Sequence, residues 1–183
     1  MNMRSRLYIL PICYLSLVIG FTACKPNSPS NYRGLPKTYE TAYQQIYGHC
    51  YDSLPNVAVV SLDLYSEGLT LDENKSIKGT GYNLYLSDIF VPDSLLEAGS
   101  YRSDTTGEAF TFLPGREFEG YPHGMYILNI EEDKVLHIQV LDSGSFVYRN
   151  DSLAFTLYFR NTYGTKTTYN CSFSGALIPW RKR

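Results

Sequence analysis

Leu153, Phe155, Leu157 and Phe159 fall on one side of the stretch from Ser152 to Arg160, and smaller or polar residues fall on the other. A period of two places alternate side chains on opposite faces of a strand, whereas a helix would scatter them around its axis. Asn150-Asp151 precedes this run. Both residue types tolerate positive φ, so the pair reads as a two-residue hairpin turn back to a strand over 145–149.

The same alternation recurs along the chain. From Asn56 to Tyr65, Ala58, Val60, Leu62 and Leu64 share a side opposite Ser61, Asp63 and Tyr65. From Gly81 to Phe90, Tyr82, Leu84 and Leu86 oppose Asn83, Tyr85 and Ser87, and the phase slips near Asp88. A slip of this kind predicts a β-bulge or a strand end. Tyr169, Cys171, Phe173 and Leu177 line one side of a strand over 167–177. Shorter strands are expected over 99–101 and 109–113. A paired set is expected over 124–130 and 134–141, across Glu131-Glu132-Asp133. The first strand is expected over 44–51, approached through a short helical turn at 38–43, and a further turn at 161–164. Seventeen Tyr and 9 Phe against 1 Trp reinforce the strand reading, because aromatic side chains fit a pleated, half-buried surface. The prediction is an all-β domain, an antiparallel β-sandwich or open barrel of about nine or ten strands.

The N-terminus follows a different pattern. Arg4 and Arg6 precede an apolar run over 7–20, and Phe21-Thr22-Ala23-Cys24 closes it. This is the order of a secretory signal, and the run is short of the ~20 residues that a spanning helix needs. The tetrad resembles a lipobox, the site at which bacterial lipoproteins are cut before a cysteine that then carries acyl chains. The resemblance implies a leader over 1–23 and lipidation of Cys24. Two or three acyl chains anchor a protein firmly, since each buried methylene contributes ~0.8 kcal/mol. Pro, Ser and Asn without periodicity mark residues 24–42 as the lipidated cysteine and a tether, leaving the folded domain over 43–183. By the same resemblance, Lys25 after the cysteine implies the outer membrane, and the lack of an acidic cluster at Pro26-Asn27-Ser28 implies its periplasmic face, with the cell surface as the alternative.

Cleavage removes 23 of 183 residues and leaves 160, enough for one domain with a sizeable core. The leader carries two of the 16 basic residues and no acid, so 14 bases face 18 acids and the net charge is −4. That balance argues against nucleic acid as a partner. The basic tail Arg181-Lys182-Arg183 is read as solvated. Export permits a disulfide between the two remaining cysteines, Cys50 and Cys171. It would close a loop of about 120 residues, worth ~5 kcal/mol in the chain-entropy picture. The competing reading is two separate thiols packed as small apolar groups.

Candidate chemistry is sparse. His49, His123 and His137 lack the spacing of a zinc site, and no metal or cofactor is expected. His123, in Gly120-Tyr121-Pro122-His123-Gly124, is the best placed of the three, because loops on rigid scaffolds carry function. Asp88 with Asp93, or Glu117 with Glu119, would have to converge to act as a glycosidase pair. Asp72-Glu73-Asn74 and Glu131-Glu132-Asp133 lack the spaced oxygen ligands of a calcium loop. Ser143-Gly144-Ser145 lacks the strand-turn-helix setting of a nucleophile elbow. No catalytic residue is assigned. Tyr47, Tyr51, Tyr65, Tyr85 and Tyr158 fall on outward phases, where aromatic faces stack on sugar rings or simply cover the sheet.

A second resemblance rests on the order Gly81…Leu84…Leu86, then Ala98-Gly99-Ser100-Tyr101, then Ser143-Gly144-Ser145-Phe146-Val147, then Tyr169…Phe173-Ser174-Gly175-Ala176-Leu177. It is similar to small uncharacterised β-sandwich lipoproteins of Bacteroidota, and it implies a fold and an address without transferring any functional residue. The expectation is a non-catalytic envelope lipoprotein with a binding or structural role, held on the membrane through Cys24, its protein or glycan partner unspecified. The alternative is a glycan-binding accessory protein using exposed tyrosines.

Overall fold

The computed structural model describes residues 34–160 and 164–180. The leader, Cys24, most of the tether, residues 161–163 of the turn expected at 161–164 and the basic tail lie outside the described residues.

The described chain is all β. It runs through β1 (Thr38–Tyr39), β2 (Thr41–Gly48), β3 (Ala58–Tyr65), β4 (Leu69–Leu71), β5 (Ile77–Gly79) and β6 (Gly81–Val91). Then come β7 (Gly99–Ser103), β8 (Thr111–Phe112), β9 (Arg116–Phe118), β10 (Tyr121–His123), β11 (Met125–Glu131) and β12 (Lys134–Val140). The last four are β13 (Ser143–Arg149), β14 (Ser152–Arg160), β15 (Lys166–Ser174) and β16 (Ile178–Trp180). Twelve strands form one curled sheet, and β4–β5 and β9–β10 are separate two-stranded ribbons.

Ten strands follow one path around the sheet, β1-β15-β14-β13-β7-β8-β6-β3-β2-β16. Its first and penultimate strands are continuous in the chain, because β1 and β2 are separated by Glu40 alone. β1 runs parallel to β15, with Tyr39 opposite Phe173, and β2 runs parallel to β16, with Tyr43 opposite Ile178. The sheet therefore curls back on itself through the continuous β1–β2 segment, one half of which pairs with β15 and the other with β16. This is the open-barrel form of the expectation. The sheet is mixed rather than purely antiparallel, since β7 also runs parallel to β8.

The interior is what the alternation predicts. Leu62, Leu64, Leu84, Leu86, Leu153, Phe155 and Leu157 point into one core with Tyr101, Phe112 and Phe146. Phe146 stacks on Tyr101, ring centroids 4.5 Å apart and 6° from parallel, and packs against Phe112 and Phe155. The hydroxyls of Tyr39 and Tyr169 share a hydrogen bond of 3.0 Å, and Tyr169 donates to the Pro36 carbonyl at 2.6 Å. Residues 36–42 are thus built into the barrel. Tyr39 and Ala42 are core residues, so the folded domain begins ahead of position 43, and strand stands where a helical turn is expected.

The Asn150-Asp151 hairpin is present, with φ of 49° and 55°. The sulfur chemistry differs from the disulfide reading. Cys50 lies exposed just beyond β2, whereas Cys171 is buried on β15, and both are free thiols. Cys171 points into the core beside Tyr169, and burial pushes its thiol up to about 12. The two-thiol alternative is the one the fold adopts.

Candidate functional site

The long strand β6 changes partners along one edge. Residues 81–86 pair with β11, whereas Ile89 and Phe90 pair with β8. On its other edge β6 keeps a single partner, β3, whose register shifts between Val60 and Leu62. The extra residues fall at Ser87-Asp88, and Asp88 has a φ of 50°. This is the bulge that the phase slip predicts. It opens a fork, with β11 leaving the sheet on one side and β8 joining on the other.

Tight backbone contacts hold the fork open. Ser87 N–H donates to the Gly124 carbonyl, Leu113 N–H to the Asp88 carbonyl and Gly115 N–H to the Leu141 carbonyl. A Cβ on Gly115 would lie 2.1 Å from the Met125 carbonyl oxygen, and one on Gly124 would lie 2.3 Å from that of Pro114. Only glycine permits these two segments to cross so closely.

The outward face of β3 and β6 is covered at both ends. Val59 and Phe90 pack under Leu54, Ala109 and Leu113 at one end. At the other, Tyr65 and Leu69 pack with Ile130 beneath Leu71 and Ile77 of the β4–β5 ribbon. Between these caps lies a cleft of about 440 Å³ lined by Tyr51, Tyr85, Ser87, Asp88, Arg116, His123 and Tyr126, with Leu113, Pro114, Pro122 and Gly124 completing its wall. That volume suits a small molecule.

Asp88 is fixed from two sides. The Tyr51 hydroxyl donates to its Oδ1 at 2.6 Å and the Ser87 hydroxyl to its Oδ2 at 2.7 Å. The carboxylate holds the Tyr51 proton in place, and this hydrogen bond is the main cause that pushes the phenol up to about 12. Tyr85 and Tyr126 sit opposite each other in register, ring centroids 5.0 Å apart and tilted by 37°. Burial pushes Tyr126 up to about 12, and Asp63 adds to it; Tyr85 is raised by burial and by its hydrogen bond with Tyr47. Behind them Asp63 accepts from Asn83 Nδ2 at 2.7 Å. Burial raises its carboxyl, and hydrogen bonds with Asn83 and Tyr65 offset part of that rise. The cleft thus presents protonated phenols, one anchored carboxylate, one guanidinium and one imidazole.

Of the tyrosines expected to face outward, Tyr51 and Tyr85 meet in the cleft, and Tyr47 adjoins Tyr85. Tyr65 is only 3% exposed, because the β4–β5 ribbon covers it. Tyr158 lies on β14 with the Lys166 ammonium 4.1 Å from its ring centre. His123 joins the cleft wall, and Phe118 meets its ring edge-on. His49 instead contacts the Val57 carbonyl through Nδ1 at 2.9 Å. Asp93, Glu117 and Glu119 do not line the cleft, and Glu119 forms the β9–β10 turn with Gly120.

The two acidic turns are structural. Asp72 Oδ1 accepts from the backbone N–H groups of Asn74 and Ser76, and Asp133 accepts from Gly79 N–H and from Lys78. Among the described residues no cluster of three or more potential metal ligands occurs. Ser143-Gly144-Ser145 is ordinary strand, paired with β14. Tyr126 and Arg116 carry no special spacing in sequence; the alternation places Tyr126 on a strand, but only the register across from Tyr85 brings it to the cleft. Comparison of the chain with protein-family models, with curated proteins and with solved structures returns no match.

Proposed function

We propose that this chain is a lipid-anchored cell-envelope protein whose β-domain binds its ligand, without catalysis, in the cleft at the sheet fork. The Phe21-Thr22-Ala23-Cys24 tetrad supports the anchor, through acyl chains on Cys24; Lys25 supports an outer-membrane address, and the lack of an acidic cluster at Pro26-Asn27-Ser28 supports its periplasmic face. The observation that carries the binding reading is Asp88. Among the described residues it is the single carboxylate lining the cleft, both its oxygens accept hydroxyl hydrogen bonds, and three tyrosines line the cleft with it. A carboxylate held this way recognises hydrogen-bond donors, and there is no second acid beside it to share general acid–base work.

The anchor is tested by growing cells with an alkynyl palmitate and comparing the chain with its Cys24→Ser variant. Label on the first and none on the second is expected; label on neither refutes the anchor. Protease added to intact cells should spare the domain and digest it only after lysis, and digestion of intact cells would place it on the surface. The cleft is tested by thermal shift of the full chain against a cocktail of monosaccharides, amino acids and nucleosides. A stabilising component should lose its effect on Arg116→Ala. A component that stabilises both forms equally would place binding elsewhere.

A further inference from the structure

Resting on that reading, we infer that the ligand of the fork cleft is an uncharged carbohydrate, held by one sugar ring lying against the Tyr85–Tyr126 pair while its hydroxyls bridge Asp88 and Arg116. A pyranose has an apolar C–H face and a rim of hydroxyls, each of which both donates and accepts. The cleft offers the complement of both. Tyr85 and Tyr126 pack ring against ring with a tilt of 37° and both put aromatic surface on the cleft wall, and aromatic faces carry a partial negative charge that attracts C–H groups. Asp88 accepts, Arg116 donates, and the Tyr51 oxygen, its own proton committed to Asp88, is left to accept from a ligand.

The charges narrow the class further. Asp88 and Arg116 both line the cleft and their formal charges cancel. An anion approaching Arg116 meets Asp88, and a cation approaching Asp88 meets Arg116. A zwitterion matches both signs, but Asp88 already accepts two short hydroxyl hydrogen bonds, which spread its charge and make it a hydrogen-bond acceptor more than a counter-ion. The wall is too polar for a lipid chain, and the cleft's size falls in the ~300–1,000 Å³ range of small-molecule sites.

The test is calorimetric titration of the full chain in a sugar-free detergent. The panel is maltose, cellobiose, lactose and N-acetylglucosamine, with glucuronate, glucosamine and phenylalanine as charged comparators. At least one neutral sugar should bind, and the charged comparators should bind roughly tenfold more weakly, a difference of about 1.4 kcal/mol. Tyr126→Ala should weaken that sugar roughly tenfold, and Tyr126→Phe, which keeps the ring, should stay within about threefold of wild type. Arg116→Ala should weaken it by a similar factor to Tyr126→Ala. Binding of a charged comparator alone, abolished by Arg116→Ala, would overturn the inference of an uncharged carbohydrate and leave the cleft as the binding site. Sugar binding indifferent to both alanine variants would overturn both. No binding by any neutral sugar would overturn the inference, and the cocktail experiment above still decides the cleft.

Discussion

Asp88→Ala and Asp88→Gly together weigh the two things that residue does at the fork. Its backbone sits at a φ of 50°, and its side chain accepts from Tyr51 and Ser87. A hydrogen bond to a charged acceptor contributes ~1.5–3 kcal/mol when buried. Tyr51 is 40% exposed, and exposure screens such a contact toward ~0.5–1 kcal/mol. Both variants lose the two bonds, about 1–2 kcal/mol together. They differ in backbone. A left-handed residue with a Cβ costs ~1–2 kcal/mol, which glycine escapes. Asp88→Gly should therefore be the more stable of the two by about 1 kcal/mol, or ~2–4 °C in melting temperature for a domain of this size. In an ordinary strand the order is the reverse, with glycine ~0.5–1 kcal/mol worse than alanine. Urea unfolding of both variants reads the order directly. If alanine is the more stable, residue 88 is not left-handed, and the bulge that opens the fork is absent.

The Tyr51–Asp88 contact has a pH signature. The folded phenol lies at about 12 against an ordinary 10.0, so the folded state holds this proton more tightly. The stabilising contribution is complete below pH 10 and is lost as pH rises from there through about 12. Asp88→Asn should bring the Tyr51 ring-carbon NMR titration back toward 10.0; an unchanged midpoint would contradict the contact. Gln44 is 6% exposed, faces the core across from Leu62, and its Nε2 has no hydrogen-bond partner. Removing a buried unsatisfied donor recovers ~1–3 kcal/mol, so Gln44→Met should raise the urea midpoint, and a lowered midpoint would mean that the amide is satisfied. Alkylation of the native protein followed by peptide mapping should label Cys50 at once and Cys171 only after unfolding. A peptide linking the two would restore the disulfide reading.

The interior was legible in the sequence because a strand's faces alternate whatever its partners are. Val60, Leu62 and Leu64 had to share a side, and so did Leu153, Phe155 and Leu157. The outward face was not legible. Tyr65 and Tyr85 carry the same outward phase, yet a ribbon of three-residue strands, too short to show a period, covers one and leaves the other lining a cleft. The parallel closure of β1 and β2 on β15 and β16 depends on pairing across some 130 residues, which no local pattern encodes. Asp88 is the exception. Its phase slip was visible, and the fork is its consequence, but the partners that make the fork a site arrive from β9, β10 and β11 and, with Tyr51, from the segment beyond β2.

The most direct measurement maps the backbone amide shifts of the isotope-labelled full chain on titration with the most stabilising member of the ligand cocktail. The largest shifts should fall at Ser87, Asp88, Arg116, His123, Gly124 and Tyr126, the residues that converge on the fork. Shifts centred on β13–β15, or spread evenly over the barrel, would contradict binding at the fork.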